Sequence, residues 1–186
     1  MKDYLIQSIE EIKKFFNKYV ITFSSFLLVG LINDLNKKYY GETEVLNFLN
    51  MKIHPEYFSL ILGVLIFVFI VVLYFKFSHL RQITDEIDKK NKEMLKNLKF
   101  IHWIASPFNT SKWGIVFFVS FIAIGVIYSI FLGFSHLFLP MPDWSKIPLL
   151  YYKAIGVFNT AVFFISAFLL RSMIKYIWGI RNRMGL

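Results

Sequence analysis

The run WGIVFFVSFIAIGVIYSIFLGFSHLFL, Trp113 to Leu139, carries no charged side chain. A bilayer core is crossed by about 20 apolar residues, so this run reads as a membrane-spanning helix. Lys112 precedes it and Pro140 follows it; proline lacks the N–H that a continuing helix requires. Inside the run, Gly125, Ser129 and Gly133 recur at every fourth position. Residues four apart share a helix face, and small ones there let another helix approach closely. The stripe predicts that this span is packed inside a bundle.

Three further apolar runs flank it, and together they place spans at about 15–33, 57–76, 113–139 and 149–171. The chain has 186 residues, 56% of them hydrophobic, whereas soluble domains average about 45–50%. The fold class expected is all-α, a polytopic membrane protein in one membrane domain, with no room for a separate soluble domain. Cysteine is absent, which excludes disulfides and thiolate chemistry.

The net charge is +9. Segments 1–18, 76–112 and 171–186 hold 16 Lys/Arg against 7 Asp/Glu, while 34–56 and 140–153 hold 5 against 5. Basic residues concentrate on the cytoplasmic side of membrane proteins, so both termini and residues 89–92 are expected there. The inner (plasma) membrane of a bacterium is the expected location. This placement, with anionic lipid at the inner leaflet, accounts for the basic excess and argues against a nucleic-acid partner. Trp103, Trp113, Trp144 and Trp178 all stand at predicted span ends, as amphipathic rings do at headgroup level.

Residues 1–18 read as an amphipathic helix. Leu5, Ile9, Ile12, Phe16 and Tyr19 form its apolar side, to lie on the inner leaflet or on a partner helix. In the first external loop, Thr43–Met51 reads as a short helix. His54-Pro55-Glu56 opens the second span, with proline suited to a first helical turn. Residues 77–112 repeat Leu80, Ile83, Ile87, Met94 and Ile101 at heptad spacing. A single straight helix there would leave too little chain to return to the membrane. A hairpin with arms Phe77–Asp88 and Glu93–Ala105 is expected instead.

No catalytic or metal motif is visible, and no cofactor is implied. His54, His79, His102 and His136 are scattered and read as interfacial packing residues. On the fourth span, Gly156, Asn159, Thr160, Phe163, Ala167 and Arg171 fall on one face at 100° per residue. That face reads as a bundle seam or polar lining, with Asn159 and Arg171 as its polar members. The plainer alternative is an interhelical hydrogen bond from Asn159, with Arg171 snorkelling to the headgroups. Helix packing or self-association is expected at Gly125, Ser129, Gly133, Gly156 and Thr160. A cytoplasmic protein partner is expected to dock on the hairpin through Asp85, Glu86, Asp88, Lys89, Lys90 and Lys92. Strong acids and bases are missing from the span centres, which argues against a proton-coupled transporter.

In length, four spans, inward termini and a basic cytoplasmic hairpin, the chain resembles small membrane proteins of prokaryotic defence systems. The Kiwa membrane subunit and the accessory membrane proteins beside type VI-B CRISPR loci share this layout. The resemblance lies in layout and carries over no functional residue. It implies a homo-oligomer in the inner membrane, coupled to a cytoplasmic partner that senses or responds to infection. The function expected is that of a non-enzymatic scaffold or membrane-permeabilising effector. The alternative is a small solute channel or transporter.

Overall fold

In a computed structural model, residues 2–40, 46–48, 51–53, 55–90, 107–108, 112–141 and 147–184 are described. They form four helices: α1 (Lys2–Tyr40), α2 (Pro55–Lys90), α3 (Lys112–Phe138) and α4 (Leu149–Met184). Between α1 and α2 stands a two-stranded antiparallel pair, β1 (Leu46–Phe48) and β2 (Met51–Ile53), with Leu46 opposite Ile53 and Phe48 opposite Met51. The short helix expected over Thr43–Met51 is therefore replaced by strand. The reason lies in the pattern: LNF and MKI both alternate apolar and polar, the period of a strand rather than a helix.

The helices start and stop where their local chemistry directs. Pro55 opens α2 at the position where a missing N–H costs nothing. Pro148 accepts the first turn of α4 through its carbonyl, with the Tyr152 N–H 3.1 Å away. α3 ends two residues before Pro140.

The helices alternate in direction. Tyr4 meets His79 and Phe26 meets Phe58, so α1 and α2 run antiparallel. Ser59 meets His136 and Phe77 meets Phe118, which sets α2 against α3. α2 and α4 run parallel, Tyr74 beside Tyr176 and Arg81 over the same ring. The start of α1, the end of α2, the start of α3 and the end of α4 thus share one end of the bundle.

The interior is filled largely by rings. Phe16 stacks on Phe118 at 4.6 Å between centroids, Tyr19 stacks on Phe69, and Phe77 tilts against Phe108. The outward faces of α3 and α4 are apolar too. Phe131 is 64% exposed and Phe168 68%, an arrangement stable in hydrocarbon and costly in water. Three helices, α2, α3 and α4, are long and apolar enough to cross a membrane.

Length distinguishes them. α3 has 27 residues, about 40 Å at 1.5 Å per residue, which matches a bilayer with its interfaces. α2 and α4 have 36 each and overshoot that by roughly 14 Å. Neither breaks where the apolar run ends. The arm expected at Phe77–Asp88 is the continuation of α2, while the arm Glu93–Ala105 lies outside the described residues. Likewise, the amphipathic helix expected over residues 1–18 is not separate. It continues into α1, and Leu5, Ile12, Phe16, Tyr19, Phe23 and Phe26 form one buried side.

α3 and α4 cross closely at Gly133 and Gly156. A Cβ on Gly133 would stand 2.9 Å from the Thr160 backbone nitrogen and 3.2 Å from the Gly156 carbonyl oxygen. Backbone cannot yield as a flexible side chain can. Gly133→Ala should therefore lower stability by about 1–3 kcal/mol. Gly179 meets nothing within 4 Å, and Gly179→Ala should be neutral or add up to about 1 kcal/mol. Reversible unfolding in detergent micelles, followed by circular dichroism, measures both.

Candidate functional site

The end of the bundle that holds the start of α1 and the ends of α2 and α4 is tied by polar contacts. On α2, Arg81, Asp85 and Asp88 lie at spacings of four and three, hence on one side of the helix. α4 answers with Tyr176 and Arg183, seven residues apart. The Arg183 guanidinium pairs with the Asp85 carboxylate and reaches Asp88 at 4.0 Å. Arg81 stands 3.8 Å from Asp85 and lies over the Tyr176 ring at 5.0 Å. The Tyr74 and Tyr176 hydroxyls are 3.3 Å apart. Arg181, 3% exposed, donates to the Pro107 carbonyl at 2.9 Å, and Phe108 seats against Phe77. The turn before α3 is thereby drawn onto the same assembly.

α1 joins through two contacts. The Tyr4 hydroxyl lies 3.0 Å from His79 Nε2, and Lys76 donates to Glu11 at 3.1 Å. The hydrogen bond from Lys76, and then its charge, hold the Glu11 carboxyl below the usual glutamate range. These contacts join α1, α2 and α4 into a three-helix stalk.

Asp85 and Asp88 are expected from the sequence to meet an outside partner. The structure places them against the chain's own Arg183, a residue about 100 positions away. Glu86 faces outward and is exposed. Lys89 and Lys90 complete α2, and Lys92 lies outside the described residues.

The small residues all serve crossings within the chain. Gly125 faces Tyr19 and Phe23 of α1, and Gly133 faces Gly156 and Thr160 of α4. Ser129 is fully buried and donates to the Val126 carbonyl at 2.7 Å, and Thr160 donates to the Gly156 carbonyl at 2.9 Å. The surface that this stripe would offer to a second copy is filled by the chain's own helices.

The face expected on the fourth span divides. Asn159 is fully buried, its amide donating to the Ile155 carbonyl at 3.1 Å. Its Oδ1 occupies the space where a side chain at Gly63 of α2 would stand. Ser166, seven residues on, is fully buried on the same side. Arg171 is exposed, so it shares no lining with Asn159.

One pairing escaped the sequence. The Ser59 hydroxyl lies 3.1 Å from His136 Nε2, and His136 Nδ1 lies 2.8 Å from the Leu132 carbonyl. An imidazole protonated on Nδ1 satisfies both contacts, accepting from serine and donating to the carbonyl. The ring also lies against Tyr152, 4.6 Å between centroids. Seventy-seven positions separate the two residues, and no local motif joins them. Ser59 is 5% exposed and His136 9%, so the pair ties α2 to α3 inside the bundle. Among the described residues, no group of three or more His, Asp or Glu side chains could hold a metal. His54, His102 and Asp143 lie outside them.

The stalk contacts have measurable consequences. Arg183 and its two acids are about one third exposed or less. A double-mutant cycle of Arg183→Gln with Asp88→Asn should give a coupling of about 0.5–1 kcal/mol at low salt, reduced at high salt. The Glu11–Lys76 tie is complete above the ordinary glutamate pKa and is lost as pH falls through the depressed one. Hydrogen exchange in the first turns of α1 should therefore speed up only below the usual glutamate range, and Glu11→Gln should abolish that step. Searches of protein-family models, curated proteins and solved structures return no match for this chain.

Proposed function

We propose that this protein is a non-enzymatic inner-membrane scaffold of four spans, α1 supplying the fourth, with both termini in the cytoplasm. It self-associates and presents the stalk to a cytoplasmic protein. The observation that carries this reading is the stalk itself. Three helices continue beyond their apolar stretches at the basic end, and α1 also runs on to Tyr40 at the other. Charged contacts at the basic end hold the three in fixed register. A segment serving only to connect two spans has no need of such bracing. With Asp85 and Asp88 engaged internally, the docking face is the outward side around Glu86.

Phe16, Phe69, Phe77 and Phe118 fill the bundle interior, which supports a scaffold over a channel built from one copy. Permeabilisation would require several copies. Their contact would use the exposed apolar faces of α3 and α4, because the glycine stripes are spent within the chain. The likeness of layout to small membrane proteins of prokaryotic defence systems supports placing the partner in a response to infection.

Purified protein in liposomes should pass neither ions nor small solutes without a partner, read by dye release and potassium flux. Flux from the protein alone would favour the channel. Because the chain has no cysteine, single cysteines report topology cleanly. Asn182→Cys should label only from the cytoplasm and Leu150→Cys only from outside.

A further inference from the structure

α3 and α4 touch most closely at Gly133, Gly156 and Thr160, and toward the basic end an open groove of about 410 Å³ lies between them. Its walls include Ala123 and Val126 of α3 and Phe163 and Ala167 of α4, and Arg171 and Lys175 stand at its end. The short side chains of Ala123 and Ala167 help to keep it open. Among the described residues, no acidic side chain lines it.

The depth of the groove follows from helix register. With Gly133 opposite Gly156 and Thr160, antiparallel pairing brings Trp113 level with Trp178. Both are exposed, at 79% and 47%, as rings at headgroup level are. Lys175 lies about one turn inside that level and Arg171 about two. Both are exposed and long enough to reach the phosphate layer by snorkelling. Ala167, Phe163 and Ala123 lie deeper, at acyl-chain depth. The groove therefore combines an apolar slot below with two cations above and, among the described residues, no carboxylate to offset them.

The geometry points to a binding site for one anionic phospholipid, its phosphate on Arg171 and Lys175 and an acyl chain between Ala123 and Ala167. Charge complementarity selects this occupant: a second copy of the chain would have to bring an acidic group to the same depth. Basic pockets between spans on the cytoplasmic side hold anionic headgroups in this manner. The inference rests on α3 and α4 crossing the membrane, and not on the docking role proposed above. A failed docking or flux test leaves its outcomes unchanged.

Native mass spectrometry of the solubilised full chain tests it. Phosphatidylglycerol and phosphatidylcholine with identical chains are added in equal amounts. The wild type should retain one phosphatidylglycerol with a preference of roughly thirtyfold, about fivefold for each cation. Arg171→Gln with Lys175→Gln should bring the preference close to one. Lys14→Gln with Lys18→Gln, an equal charge loss on α1, should leave it intact. Ala167→Leu, which fills the slot and keeps both cations, should reduce retention. Excess glycerol phosphate, a headgroup without chains, should not displace the lipid. Equal retention of the two lipids by the wild type would overturn the site. So would a preference that survives loss of both cations, or one lost equally in the α1 control. Full displacement by glycerol phosphate would make it a soluble-phosphate site instead. A fall in oligomeric mass with Ala167→Leu would assign the groove to a second copy.

Discussion

Hydrocarbon thickness is the constraint on which the rest of this structure depends. A span needs about 20 residues, yet α2 and α4 run to 36 each, and α1 beside them to 39. The excess must leave the bilayer, and backbone N–H and C=O groups that leave it still need partners. Continuing the helix satisfies those groups. It does not satisfy the new polar side chains, whose contacts then determine how the protruding helices stand. Arg183 between Asp85 and Asp88, Lys76 on Glu11 and Arg181 on the Pro107 carbonyl are those contacts. Individually the two partly exposed ion-pair contacts among them contribute little. Their value here is register, because each fixes one helix against another at a different height.

Inside the membrane the order of forces changes. Lipid is as apolar as leucine, so close packing rather than exclusion of water holds the helices together. Two devices meet that need. Glycines at 63, 125, 133 and 156 let neighbouring atoms fill the place of their missing side chains. Rings on α1, α2 and α3 fill the wider gaps, Phe16, Tyr19, Phe69 and Phe118 touching in one cluster. Among the described residues the buried polar groups bond mostly within their own helix, the Ser59–His136 pair being one that crosses between helices. Thr160, Ser129 and Asn159 each return a hydrogen bond to a carbonyl of their own helix.

The membrane character was legible because it needs only hydropathy and length: α3 matches its apolar run closely, and α2 and α4 begin with theirs and run on past them. The stripe of Gly125, Ser129 and Gly133 pointed to close packing, since small residues at a period of four let another helix approach, and Gly125 and Gly133 both have neighbours in the space of a Cβ. What it could not announce was the partner. Gly125 serves α1 and Gly133 serves α4, a division set by tertiary placement. The heptad spacing of Leu80, Ile83 and Ile87 indicated helix, and all three are buried. It did not reveal that the charges between them would meet Arg183. Ser59 with His136 was beyond reach for the same reason: a contact across 77 positions leaves no periodic trace. The strands β1 and β2 were misread as helix because a loop segment rich in leucine and phenylalanine suggests either element until its alternation is weighed.

α2 and α4 run parallel, and they are keyed together at two heights. Asn159 fits the notch at Gly63 within the membrane, and Arg183 grips Asp85 and Asp88 beyond it. Twenty-four residues separate the two keys on α4, about 36 Å along a helix. A one-residue twist of α4 about its axis is 100°, and it would disengage both at once. α4 is thereby locked in torsion while remaining able to tilt with α2 as a pair. Anything that levers the exposed ends of these helices would move the seam at Asn159 as a rigid rod moves its far end, with little loss to slippage between them.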